Sequence, residues 1–168
     1  MSLSMYQASV PVFLRMLGNI SAILTKAEAD AAARNIDPSV LVNARLAPDM
    51  FPLARQIQIA TDGVKGGAAR LAGVEIPSFP DTETTFAELQ ARIAKTVEFL
   101  KGFQPAQIDG SETRQVTLQL RDRSVEFDGA TYLLNFVLPN FYFHLTTTYA
   151  ILRHNGLALG KMDFLGGA

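Results

Sequence analysis

His144 and His154 are the only imidazoles in this chain of 168 residues, and no cysteine accompanies them. A thiolate nucleophile, a disulfide and a cysteine-held zinc are therefore excluded. Imidazole chemistry remains: a metal ligand, a general base, or a hydrogen bond to another helix. At about 100° per residue, the helix that carries His144 has its apolar centre at Phe141, Leu145 and Leu152. His144 falls about 80° from that centre, at the edge of a core, and Thr148 one turn on lies closer to it. Gln56 adjoins the core position Ile57 on another helix. With Tyr142 these residues make a candidate ligand pocket, with His144 as base or ligand and Gln56, Tyr142 and Thr148 orienting a small molecule. The same residues also fit a plainer role, satisfying one another's hydrogen bonds.

Other polar groups have simple readings. His154 lies about 80° to the opposite side of the apolar centre, in a last helical turn where the dipole favours a cation, so it and Arg153 read as caps. Asp49 reads as an N-cap. The default for Gln56 and Gln58 is a solvated face, with one of them turned to the helical core as the alternative. Asp81-Thr82-Glu83 precedes a helix, where negative charge is favoured without any ligand. Gly63-x-x-Gly66-Gly67 lies within a helix and lacks the strand that a phosphate loop needs. There is no His-Glu-x-x-His and no serine in a strand–turn–helix elbow.

The composition narrows the classes further. Apolar residues make up 48% and charged residues 18%, with a net charge of −1. Without basic blocks, nucleic-acid binding has no electrostatic basis. The charged share is below the usual quarter or so, which implies a surface partly covered by a partner such as a second copy. No run reaches the roughly 18 uninterrupted apolar residues of a membrane span. The stretch from Met1 to Leu17 lacks a cationic leader and is broken by Pro11 and Arg15, so a cytoplasmic protein is expected.

Four segments with helical spacing must position these groups. The first runs along Tyr6, Val10, Phe13, Leu17, Ile20, Leu24 and Ala27, with a kink or a late start imposed by Pro11. Asp37-Pro38 opens a short helix to about Asn43. The second long helix is predicted from Asp49 to Gly73, its stripe passing through Met50, Ile57, Thr61, Val64, Ala68 and Leu71. Its internal glycines imply a close approach by another helix or room for a ligand. The third starts at a Thr85/Glu88 capping box, buries Phe86, Leu89, Ile93, Val97, Leu100 and Phe103, and ends at Gly102 and Pro105. Gln115 to Phe127 alternates with period two, through Val116, Leu118, Leu120, Val125 and Phe127. That predicts a hairpin turning at Arg121-Asp122-Arg123 and packed on the helices. The last helix is predicted from Asp128-Gly129 to His154, kinked near Pro139 and stopped by Asn155-Gly156. A tail folds back to cover Phe164 and Leu165.

Five segments carry a family resemblance: Leu46-Ala-Pro-Asp-Met-Phe51, Arg70-Leu-Ala-Gly73, Pro139-Asn-Phe-Tyr-Phe-His144, Leu152-Arg-His-Asn-Gly156 and Gly160-Lys-Met-Asp-Phe164. Together they resemble an uncharacterised bacterial family grouped with the DinB/YfiT-like metalloenzymes, over essentially the whole chain. The resemblance implies one domain, residues 1–168, with an all-α four-helix bundle in up-down-down-up order and a long crossover between helices two and three. It also implies a homodimer. Relatives often hold a divalent metal with three histidines, one on helix two and two spaced four apart on helix four, and some are thiol-dependent transferases or isomerases. Here His144 is the only ligand in register, with Asn140 and Thr148 four residues either side and no histidine on helix two. Zinc-like sites want three or four nitrogen, sulfur or carboxylate donors. No cofactor is therefore expected, and zinc or nickel is the alternative. The function expected is a small-molecule-binding or stress-related dimer; the alternative is a metal-dependent hydrolase or thiol-transferase-like enzyme acting around His144.

Overall fold

The computed structural model describes residues 3–119 and 122–167. It is mostly helical, with one small antiparallel hairpin before the last helices. Leu120 and Arg121, placed by the alternation in a strand and a turn, lie outside the described residues.

The first long helix, α1, covers Val10–Ala33, with Pro11 in its first turn. The late start is the one proline allows, because there the missing N–H has no intrahelical acceptor to lose. Tyr6 therefore precedes the helix instead of joining its stripe. Next, α2 covers Pro38–Val42, capped by Asp37, which accepts the Ser39 N–H at 2.9 Å. The second long helix, α3, covers Leu53–Ala72 and does not begin at Asp49 as expected. Phe51 precedes a proline and is biased out of the helical region, which favours a helix start after Pro52. Asp49 is left exposed in the turn before α3. The far end of α3 is as predicted, with Gly73 left-handed at φ 70°.

The third long helix, α4, covers Phe86–Lys101 and opens on the predicted capping box: Thr85 Oγ1 accepts the Glu88 N–H and Glu88 Oε2 accepts the Thr85 N–H, at 3.2 and 3.0 Å. Pro105, expected only as a terminator, also begins a short helix, α5, Pro105–Ile108. Strands β1, Gln115–Gln119, and β2, Ser124–Asp128, pair with Val116 opposite Phe127 and Leu118 opposite Val125. The ribbon docks as two strands alone must: Val116 and Leu118 are buried, and Phe127 packs on Tyr132 and Phe136.

The final rod is segmented. A single turn, α6, Gly129–Thr131, passes into a π-helical stretch, Tyr132–Val137, and then into α7, Leu138–His154. Pro139 has no N–H for the preceding turn, and the wider π turn is where the rod absorbs the lost bond. The short helix α8, Lys161–Leu165, returns onto α1, where the Asn19 amide donates to Phe164 O at 3.0 Å and Lys26 pairs with Asp163. Phe164 packs against Tyr149, but Leu165 stays exposed, contrary to expectation.

Among the long helices, α1 packs on α4 and α7, and α3 packs on the same two. One apolar core joins them. The α3 glycines answer the choice left open by the sequence: a Cβ on Gly67 would sit 2.8 Å from Val137 Cγ1, so this glycine permits a close helix approach. α1 is long and apolar enough to cross a bilayer by composition, yet it buries Phe13, Leu17, Ile20 and Leu24 in the core.

Candidate functional site

The sequence's principal candidate, His144, faces inward from α7 with 7% of its surface exposed. Gln56, in the first turns of α3, meets it: Nδ1 lies 2.7 Å from Gln56 Oε1. The Gln56 amide nitrogen donates to Phe51 O at 2.9 Å. That bond orients the amide, since a carbonyl only accepts. The Gln56 oxygen must then face the ring, Nδ1 must carry the imidazole proton, and Nε2 is left with a lone pair in the neutral ring. Burial, and secondarily the nearby Arg55 guanidinium, push the His144 pKa below its ordinary value. The ring is neutral at pH 7.

The other candidates do not converge with this pair. The Thr148 hydroxyl donates to His144 O at 2.9 Å, a bond within its own helix. Tyr142 lies on the outer side of α7 and lines two surface grooves. None of the five principal clefts among the described residues is lined by His144, Gln56 or Thr148. His154 is exposed in the last turn of α7, and Arg153 reaches Leu157 O beyond the helix end at 3.4 Å. The solvated default for Gln56 and Gln58 is overturned: both are buried, because the segments flanking α3 cover its first turns. Gln58 donates to Glu83 Oε2 at 3.0 Å, a residue of the crossover between α3 and α4.

Sequence reasoning passed over a second polar centre. The Arg92 side chain, on α4, is 1% exposed. Its Nε donates to Thr61 Oγ1 at 2.8 Å, and Nη1 donates to Pro80 O and Glu83 Oε1 at 3.1 and 3.0 Å. Nη2 stands 2.9 Å from Asp62 and 3.0 Å from Asp81, both off the line of its N–H bonds, so these contacts are ion pairs more than hydrogen bonds. Lys65 is buried beside them, bonded to Asp62 at 2.7 Å and seated 3.9 Å from the centre of the Phe79 ring. Arg55 closes the group by pairing with Asp81. Three cations thus face three carboxylates, and the charges cancel. The reading of Asp81-Thr82-Glu83 as helix-start charge is corrected: Asp81 and Glu83 are counter-ions of Arg92. The signal was Arg92 itself, an arginine between Leu89, Ile93 and Thr96 on an apolar stripe, a position that demands partners.

With this geometry in place, comparison with known proteins is informative. The family described as Domain of unknown function (DUF1993) matches residues 5–165. The chain belongs to this family. Its fold is similar to that of a DinB family member protein from Shewanella denitrificans, known from a crystal structure: the TM-score is 0.92 at 45% identity, covering 97% of this chain and 92% of that one. No curated protein matches. In this DUF1993 chain, the Gln56–His144 hydrogen bond joins α3 to α7. Among the described residues, no three histidine, aspartate or glutamate side chains gather as metal ligands. A lone imidazole, a neutral amide and a nearby guanidinium do not fit a divalent cation.

Proposed function

We propose that this DUF1993 protein is a DinB-like bundle of up-down-down-up order whose metal position has been replaced by a protein–protein hydrogen bond. It acts as a cytoplasmic small-molecule-binding or stress-related homodimer, and not through a bound metal. The observation that carries this reading is the Phe51–Gln56–His144 chain. It spends the ring's Nδ1 and the amide's oxygen on each other, and the nearby Arg55 guanidinium disfavours positive charge on the ring. Metal analysis of protein purified without a histidine tag tests it. Substoichiometric zinc and nickel, unchanged in His144→Ala, is the expected result. A stoichiometric metal lost in that variant overturns the reading.

One observation favours an enzyme as the second reading. His144 Nε2 holds a lone pair, and no hydrogen-bond partner for it is found among the described residues. An imidazole tethered at Nδ1 with Nε2 unprotonated is arranged as a general base. Turnover of activated esters or thiol conjugates, abolished by His144→Gln and retained by His154→Gln, would establish this alternative.

A further inference from the structure

From Leu138 to Leu152, α7 carries no aspartate, glutamate, lysine or arginine. Its inward side is buried through Phe141, Leu145 and Leu152. Its outward side is nonetheless apolar or weakly polar, along Pro139, Tyr142, Phe143, Thr146 and Ala150. The other outward faces differ: α1 presents Arg15, Lys26 and Glu28, and α4 presents Glu88, Lys95 and Glu98. A helix without charge on any side is ordinarily covered on every side.

The surface around this stripe has shape as well as polarity. Phe143 stands 57% exposed beside a groove of about 450 Å³, which Leu46 and Met50 wall on the far side. Tyr142 borders that groove and also a second one of about 370 Å³, lined by Met16, Phe164 and Leu165 with Arg15 as its one charged residue. The apolar surface therefore continues from the residues before α3, across α7, to α8. A ring that projects beside a hollow of its own is the arrangement a two-fold pair requires, because each copy then offers both the knob and the hole. Charge argues for the same occupant. The lining of the larger groove is uncharged, the hook beside it (residues 46–50) carries one anion, Asp49, and the smaller groove carries one cation, Arg15. Two copies meet there without like-charge repulsion, whereas a strongly basic or acidic partner finds no field to match.

We propose that the outer face of α7, together with the 46–50 hook, is the two-fold interface through which two copies of this chain associate. The proposal rests on the homodimer reading above and assigns its surface. The same face lies against the His144 site: Phe143 packs edge-on to the His144 ring at 5.2 Å, and Thr147 lines the groove. Association would therefore cover the outer side of the polar pair.

Sedimentation of the full chain at micromolar concentration tests this, with Phe143→Glu compared against Val74→Glu. Val74 is an exposed apolar residue just past the far end of α3, roughly 27 Å along that helix from Gln56. The expected result is a dimeric parent and a dimeric Val74→Glu, with Phe143→Glu weakened about a hundredfold or more and monomeric. A dimeric Phe143→Glu overturns the surface and leaves the dimer standing. A monomeric parent overturns both. Because the chain has no cysteine, Thr146→Cys gives an independent readout should Phe143→Glu fail to fold. Oxidation should convert it to a covalent dimer, while Val74→Cys stays monomeric on a non-reducing gel. A cross-linked Val74→Cys beside an unlinked Thr146→Cys overturns the interface.

Discussion

His144 shows how one buried hydrogen bond decides what an imidazole does. Burial, and secondarily the nearby Arg55 guanidinium, disfavour its charged form, so the folded protein binds the proton more weakly than the unfolded chain does. Above the ordinary histidine pKa of about 6.5 neither state is protonated, and the ring adds no pH dependence. As the pH falls below that value, the unfolded state takes up the proton first and stability declines, until the lowered pKa of the folded state is reached. Denaturant titrations across this range should show a shallower decline for His144→Gln than for the parent. An equal slope would mean that the ring is as well solvated as a surface histidine. This site was half legible in the sequence. His144 was placed at the core edge by helical angle alone, but its partner was assigned to solvent by default, because the segments covering α3 leave no periodic trace.

At the scale of elements, two contacts hold the long helices in place. Arg92 clasps the α3–α4 crossover to both helices through Pro80, Asp81 and Glu83. Replacing it with methionine keeps much of the volume but leaves the half-buried Glu83 without a cation and unties the crossover from α4, while Asp62 and Asp81 keep Lys65 and Arg55. A loss of about 3–5 kcal/mol is expected from equilibrium unfolding, against no more than about 1 kcal/mol for Lys101→Met, whose ion pair with Glu98 is exposed. Gly67 sets the spacing between α3 and the π-helical stretch. Gly67→Ala should cost about 1–3 kcal/mol because its new methyl meets Val137, even though alanine is the better helix former. Val137→Ala added to it should recover part of that loss, giving a favourable coupling in a double-mutant cycle. Strict additivity would show that the approach is not tight. The start of α4 was legible because a capping box is local. The start of α3 was misread because Asp49 looked like a cap, while the pre-proline restriction on Phe51 outweighed it.

At the scale of the molecule, the low charged fraction and the uncharged length of α7 bear on association. If two copies join through that helix, the thermal midpoint should rise with protein concentration, and it should cease to do so in Phe143→Glu. A concentration-independent midpoint in the parent would place the protein among monomers. The hairpin, the π-helical stretch and α8 all attach to the core by aromatic contacts, with Phe127 against Tyr132 and Phe164 against Tyr149. They are therefore expected to unfold together with the helices, as one transition in calorimetry.

By itself the sequence determined what periodicity, capping and glycine stops can encode: four long amphipathic rods, a two-stranded ribbon and a break at Pro139. These are local, because each depends on residues within a turn or two of one another. Only the tertiary structure decided that Gln56 meets His144 and that Asp81 and Glu83 belong to Arg92. Those pairings join residues far apart along the chain. Their energy comes from removing both partners from water at once, and no single segment records it.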